Sequence, residues 1–358
     1  MLTTKRFLHR RRSLRRYGGN GLKQALSGAA AALILAGNTG CAALSAPAGA
    51  VPPPSSAPQA ASSSPAAPPR EPSPLPQTIP AIQSPVALLY DEALGAVVYA
   101  KNIDARRYPA STTKLLTALV ALEACPPDRV FTVGPEDTAP VMYDASQVGL
   151  EEGMTLSLRG LLEGLLLRSG CDAAYVISAH VGRILAGDDS LTAAEATAVF
   201  CREMNARAAE LGAADSHFVN PDGYHHPDHY TTARDLLSIA LAVEQVPLLR
   251  EILQEEEAEV SLGETTVVWK NGNALLRPDS PYYVPGATGM KTGFTDAAGD
   301  CMVASATLRG RRYIGIILGG ESAEQRWADT VALLERADPS AQQPEETAEA
   351  SSAPAAAS

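Results

Sequence analysis

Ser111 and Lys114 stand three residues apart at the start of an apolar run, in a chain with 23 arginines but only six lysines, four of them after residue 50. At i and i+3 on a helix the two side chains share one face. A serine hydroxyl is a poor nucleophile until a base removes its proton. Lysine can be that base where burial disfavours its ammonium, whereas arginine keeps its charge at any working pH. A serine at a helix N-terminus also meets free backbone N–H groups that favour developing negative charge. Taken alone the spacing favours a solvated lysine beside a capping serine, since Ser-x-x-Lys arises by chance about once in a few hundred residues. Two further features favour catalysis. Lys291, another scarce lysine, opens Lys-Thr-Gly where a strand is predicted. Ser169 sits in a break between two predicted helices, where a hydroxyl can project into a cleft.

The elements that must position these groups follow from periodicity. Residues 85–101 read as two β-rich runs around 91–95, a hairpin. The run 111–124 is apolar nearly all round (Leu115, Leu116, Leu119, Val120, Leu122), which predicts a helix buried on every side. Helices are expected over 157–168 and 172–185, interrupted at Ser169-Gly170-Cys171. Another over 192–211 opens with the capping box Thr192…Glu195 and stops at Gly212. A further helix starts at Thr232…Asp235. Strands are expected over 286–295, 300–308 and 312–318, the last two joined at Arg309-Gly310, and Ser322…Gln325 caps a closing helix to Arg336. The fold class is α/β of the α+β type: a mostly antiparallel sheet completed by segments far apart in sequence, flanked by helices, with a helical subdomain inserted in the middle.

The ends differ in kind. Residues 1–50 carry eight Lys or Arg and no acid, then a short apolar stretch and Ala48-Gly49-Ala50. That describes an export signal or N-terminal anchor. Arg15-Arg16 hints at a twin-arginine signal with poor surroundings. Cys41 is a weak match to a lipidated cysteine, because Asn38-Thr39-Gly40 lacks the usual apolar residue. Residues 51–80 are rich in Pro, Ala and Ser, a disordered linker, and 337–358 form a similar, acidic tail. Residues 81–336 make one domain large enough to bury about three quarters of its unfolded surface. Without residues 1–50 the formal charge of −11 becomes −19, which argues against nucleic acid and against anionic polymers as partners. Membrane contact is expected only through the N-terminus. The four later cysteines (Cys125, Cys171, Cys201, Cys301) are expected to be buried hydrophobes without a bridge.

Taken in order, Ser111–Lys114, Ser169–Cys171 and Lys291–Gly293 resemble the S-x-x-K, S-x-N and K-T-G motifs of the penicillin-binding-protein and serine β-lactamase superfamily. The flanks YPASTTKLLTALVALE, LRGLLEGLLLRSGCDAA, FVNPDGYHHPDHYTTARDL and GMKTGFTDAAGDCMVASATLRGRRYIGIILGG are similar to the low-molecular-mass D-alanyl-D-alanine carboxypeptidases, serine peptidases of family S11. The resemblance covers most of 83–336 and implies a β-lactamase/transpeptidase-like fold without cofactor or metal. It implies an exported, extracytoplasmic enzyme acting at the cell wall or the outer face of the cytoplasmic membrane. Its substrate would be a peptidoglycan stem peptide ending in D-Ala-D-Ala, and β-lactams would be covalent inhibitors. In this reading Ser111 attacks the carbonyl between the two D-alanines and Lys114 is its general base. Ser169 relays the proton to the leaving amine and helps hold Lys114. Lys291 supplies positive charge to Ser169 and to the substrate carboxylate, which Thr292 hydrogen-bonds. Gly293 leaves room along the strand edge. The backbone N–H groups of Ser111 and Phe294 form the oxyanion hole. The β-domain and amphipathic C-terminal helix of many members have no counterpart in the sequence.

One position departs from the family pattern. Cys171 stands where Asn is expected, and a thiol is a weaker donor and acceptor than an amide, so a weakened or retuned enzyme is expected. Two rival readings stay open: a catalytically impaired cell-wall or β-lactam-binding module, and a class A-like β-lactamase. The latter needs a water-activating glutamate, for which Glu203 is the nearest imitation, although it sits in a predicted helix. His225, His226 and His229 surround Asp228 with metal-like spacing, but Pro227 interrupts any helix, and solvated loop histidines are expected. Arg234 and Asp235 are expected to cap and pack. Of Tyr224, Tyr230, Tyr282, Tyr283 and Tyr313, most are expected to be buried rather than to line a groove.

Overall fold

The computed structural model describes residues 81–337; the expected signal, linker and tail (Ala337 excepted) lie outside these residues. The hairpin forms as β1 (Val86–Asp91) and β2 (Ala96–Lys101). The three strands near the C-terminus form as β7 (Ala287–Thr295), β8 (Gly299–Leu308) and β9 (Arg311–Gly320). Together they make one sheet in the order β2-β1-β9-β8-β7, every neighbouring pair antiparallel. The alternation of side chains along a strand sorts the sheet's two faces. On one face Val86, Leu88, Val303, Ile314 and Ile316 join the main core, and on the other Ala87, Leu89, Met302, Ala304 and Ile317 meet the closing helix α7 (Ala323–Glu335). The chain therefore buries both faces of the central strands, so β8 and β9 read as continuous apolar runs.

The middle of the chain is helical. α1 (Lys114–Ala124), α2 (Leu158–Leu167), α3 (Cys171–Ala186), α4 (Ala193–Glu210), α5 (Ala233–Glu244) and α6 (Pro247–Gln254) lie between β2 and β7. α4 carries the expected capping box, with the Thr192 and Glu195 side chains bonded reciprocally to each other's backbone N–H. Five elements have no counterpart in the sequence reading: α6, the short pair β3 (Val130–Thr132) and β4 (Thr155–Ser157), and the hairpin β5 (Glu257–Leu262) with β6 (Thr265–Lys270). The β5–β6 hairpin packs against α2. A Cβ added to Gly164 would stand 2.9 Å from the Trp269 ring, so a glycine at this point of α2 lets the indole approach.

The helix expected over 111–124 starts differently. Ala110–Thr113 is a 3-10 turn, and α geometry begins only at Lys114. Ala110 holds a left-handed φ of 48°, which an ordinary helix start does not contain. Side chains at i and i+3 eclipse in 3-10 geometry, so this turn sets Lys114 directly over Ser111. None of the described helices is long and apolar enough to cross a membrane.

Candidate active site

The cleft opens where the 3-10 turn, the α2–α3 break and the edge strand β7 converge. Its lining includes Ser111, Ser169, Cys171, Thr292, Gly293 and Phe294, around a volume of about 440 Å³. The structure thus brings together residues from three distant segments of the chain. Lys114 is fully buried beneath them. Its Nζ lies 2.8 Å from Ser111 Oγ, 2.6 Å from the Asp222 carbonyl oxygen and 3.4 Å from Cys171 Sγ. One hydroxyl, one carbonyl and one weak sulfur contact fix this amine directly beneath the Ser111 hydroxyl.

The Asp222 carbonyl is delivered by the turn Asn220-Pro221-Asp222-Gly223. Asn220 Oδ1 accepts from the Gly223 N–H at 2.9 Å, its Nδ2 donates to the Tyr224 carbonyl, and the Pro221 carbonyl accepts from Thr117 Oγ1 at 2.6 Å. Gly223 has φ of 81°, and a Cβ there would sit 1.9 Å from the Ala110 carbonyl oxygen. Only glycine lets this turn close on Ala110, the residue before Ser111.

Gly293 serves the same closeness from the other side. A Cβ there would meet the Ser111 backbone N at 2.9 Å and the Ala110 Cβ at 3.1 Å. Its smallness therefore seats the sheet edge against the turn that carries Ser111, a reason distinct from the expected room for substrate. Phe294, next along the strand, is 58% exposed. β7 is the free edge of the sheet, so its outward backbone groups can pair with an extended ligand.

Lys291 is 2% exposed, and its Nζ donates to the Thr292 carbonyl at 2.9 Å. Burial, and next the positive charge of Lys114, push its pKa well below the ordinary lysine value. A cation is therefore costly here until an anion enters the cleft. Ser169 holds a left-handed φ of 59°, and among the described residues its hydroxyl has no hydrogen-bond partner; it makes no bond to Lys114. Of the four non-glycine residues with positive φ among the described residues, Ala110 and Ser169 adjoin the two cleft hydroxyls, the pattern of strain kept where chemistry needs a fixed hydroxyl.

Cys171 heads α3, its N–H donating to the Ser146 carbonyl at 2.8 Å. Burial pushes its thiol up to about 11, so it stays neutral. The next residue, Asp172, is buried and accepts from the backbone N–H groups of Val148, Gly149, Leu150 and Ala173. One carboxylate thereby pins the loop that walls the cleft opposite β7.

Arg326 on α7 also lines the cleft, a residue that the sequence offered no signal for beyond an amphipathic helix. It pairs with Asp300 on β8 and stacks over Trp327, while its Nε is buried without a partner. Asp222, Gly223 and Asp172 were likewise missed as site residues, because their roles arise from closure between segments.

The remaining expectations divide. His225 and His226 are exposed, but His229 is buried, a correction to the expected solvated loop. Its Nε2 lies 2.8 Å from Thr113 Oγ1 and its Nδ1 accepts from the Val219 N–H. That segment folds back under the 3-10 turn Ala110–Thr113 instead of projecting. Burial pulls its pKa down to about 3. Among the described residues no His, Cys, Asp and Glu cluster could hold a metal ion. Of the five tyrosines only Tyr313 is buried, against expectation: Tyr224 lines the cleft, Tyr230 the groove beside it, Tyr282 is half-buried against Trp327 and Tyr283 is exposed. Arg234 pairs with Asp104, and the Asp235 carboxylate accepts from Ser216 Oγ. Glu203 is exposed on α4, and no glutamate lines the cleft. All four described cysteines are free and buried.

Comparison with known proteins fits this geometry. Residues 73–322 match the family model described as D-alanyl-D-alanine carboxypeptidase. The D-alanyl-D-alanine carboxypeptidase of Streptomyces sp. strain K15 is 31% identical over 266 residues, which is 72% of this chain and 88% of that protein. The carboxypeptidase DacF of Bacillus subtilis is 28% identical over 252 residues, 70% of this chain but 60% of its own length. The crystal structure of the Streptomyces K15 DD-transpeptidase superposes with a TM-score of 0.65 at 32% identity, covering 72% of this chain and 98% of that one.

Proposed function

The chain belongs to the D-alanyl-D-alanine carboxypeptidase family, and from that premise we propose that it removes the terminal D-Ala from peptidoglycan stem pentapeptides by way of an acyl-enzyme on Ser111. The observation that carries this reading is the 2.8 Å contact of a fully buried lysine amine with the Ser111 hydroxyl.

In the proposed mechanism the substrate lies extended along the β7 edge. Its terminal carboxylate enters among Thr292, Lys291 and Arg326, and that anion makes the Lys291 ammonium affordable. Lys114 takes the Ser111 proton as Oγ bonds to the scissile carbonyl carbon. The oxyanion forms against the backbone N–H groups of Ser111 and Phe294, held together by the absence of a side chain at Gly293. The C–N bond then breaks, and the proton passes from Lys114 to the leaving amine, Ser169 entering the relay by way of the bound substrate because its hydroxyl makes no direct bond to Lys114. Water repeats the sequence at the ester, with Lys114 again as base, and releases the shortened peptide. β-Lactams would acylate the same hydroxyl. Activity of this kind belongs outside the cytoplasm, where the basic N-terminal segment would direct the chain, and the domain would occupy 81–336 between linker and tail.

The Lys114–Cys171 contact supports reduced rather than absent turnover. Losing a charge-assisted contact costs about 1.5–3 kcal/mol, roughly one to two decades in rate. The β-lactamase reading lacks a glutamate at the cleft. The test is to incubate the protein with a D-Ala-D-Ala pentapeptide and, separately, with penicillin, following free D-Ala and the mass of the Ser111 peptide, with Ser111→Ala as control. Release of D-Ala that vanishes in the control supports the function. An adduct without any D-Ala release would decide for a binding module, and rapid penicillin turnover for a β-lactamase.

A further inference from the structure

Beyond Phe294 the cleft continues into a second, larger groove of about 880 Å³, which shares Phe294, Asp296 and Ala297 with the catalytic cleft. It is twice the volume the reacting end occupies. Its wall on the nucleophile's side is the segment just before the 3-10 turn, which contributes Arg106, Arg107 and Tyr108. Arg106 is already committed: it pairs with Asp215 at 3.0 Å and lies over the Tyr230 ring. Arg107 is exposed, and among the described residues its guanidinium has no ion pair, hydrogen bond or ring contact, although its backbone is fixed by reciprocal bonds to Thr231. In a chain this acidic, an arginine left unpaired on a pinned backbone beside the cleft is a cation awaiting an anion.

The direction of the substrate says which anion. On the proposed function the terminal carboxylate lies among Thr292, Lys291 and Arg326, and the preceding residues would run along the edge past Phe294 toward Asp296. At about 3.3 Å per residue, the two residues upstream of D-Ala-D-Ala fall where this groove opens. Resting on the proposed function, we infer that the groove beyond Phe294 is a subsite for a side-chain carboxylate of the upstream stem peptide, recognised by Arg107. Asp296 and Glu321, which also line it, repel a second carboxylate and favour an accompanying ammonium. Two chemical sources exist for that carboxylate: the α-carboxylate of the γ-linked glutamate at stem position two, or the terminal carboxylate of a diamino-acid side chain at position three.

The test uses four pentapeptides, with carboxylate or carboxamide on the second residue and with a carboxylate-bearing diamino acid or lysine as the third. Each is titrated calorimetrically against Ser111→Ala and against Ser111→Ala/Arg107→Gln and Ser111→Ala/Arg107→Lys, thermal melts verifying that the variants fold. Tighter binding of one carboxylate form by about tenfold, lost with glutamine and partly kept with lysine, is the expected result, and the arm that shows it identifies the source. Equal binding of all four peptides, or a preference that survives Arg107→Gln, overturns the subsite. Turnover by the Ser111 protein is measured in parallel. A binding preference without D-Ala release from any peptide would count against the proposed function while leaving the subsite standing.

Discussion

Cys171 is the residue at which this cleft departs most from its family's pattern, and its consequence can be measured directly. A neutral thiol 3.4 Å from the Lys114 amine gives the amine little, and offers the substrate neither the carbonyl nor the amide of an asparagine. Cys171→Asn is of nearly equal volume, and acylation of Ser111 by penicillin should rise roughly tenfold; an unchanged rate by stopped-flow would show the thiol to be sufficient. His229 gives a pH prediction. Its folded pKa of about 3 lies below the 6.5 of a free imidazole, so between these values the unfolded chain takes up a proton that the folded chain refuses. Stability is complete above pH 6.5 and falls as pH drops toward 3, by up to about 1.4 kcal/mol per unit from this group. Urea unfolding at pH 7 and pH 5 should show a smaller loss in His229→Gln than in the parent. At this scale the scarcity of lysine made Ser111, Lys114 and Lys291 legible. His229 was not, because Pro227 reads as a surface loop and nothing local says that the chain tucks the third histidine of this segment back under Thr113.

Between elements, the catalytic distances depend on two bare backbones and one carboxylate. Gly293→Ala places a methyl 2.9 Å from the Ser111 N, so β7 and the 3-10 turn must part. A misplacement of this kind should cost acylation roughly 100-fold while thermal unfolding changes little, since the rest of β7 stays paired with β8. Asp172→Ala leaves four backbone N–H groups of the 146–150 wall and of α3 without their acceptor. It should cost about 3 kcal/mol and raise protease cutting within that loop. The sequence showed the helix break at Ser169–Cys171 and the capping motifs because these are local signals. It concealed the β5–β6 hairpin, whose alternation (Glu257, Ala258, Glu259, Val260) spans only a few residues before a Gly263 turn, and α6, an eight-residue helix beneath the length at which periodicity speaks. The eclipsed turn at Ala110–Thr113 was also invisible, because its geometry is imposed by contact with Gly223 and Gly293.

As a molecule, the protein closes its sheet with strands from both ends of the domain: β1, from its start, lies between β2 and β9, from near its end. A fragment spanning 81–337 should unfold in one cooperative transition and keep D-Ala release, whereas one beginning at 102 strips β9 of one of its two partners, β1, and should not fold; circular dichroism and the peptide assay decide both. That architecture was readable in outline, since β-rich runs at the two ends around a helical middle admit few sheets. Which of the connected segments would face one another across the cleft was not. One more consequence follows from the four buried, unbridged thiols, with those of Cys171 and Cys301 held up near 11 and that of Cys201 near 12. With no crosslink to form and hardly any thiolate to attack, the domain should mature without an oxidoreductase and ignore both reductants and alkylating agents until it unfolds.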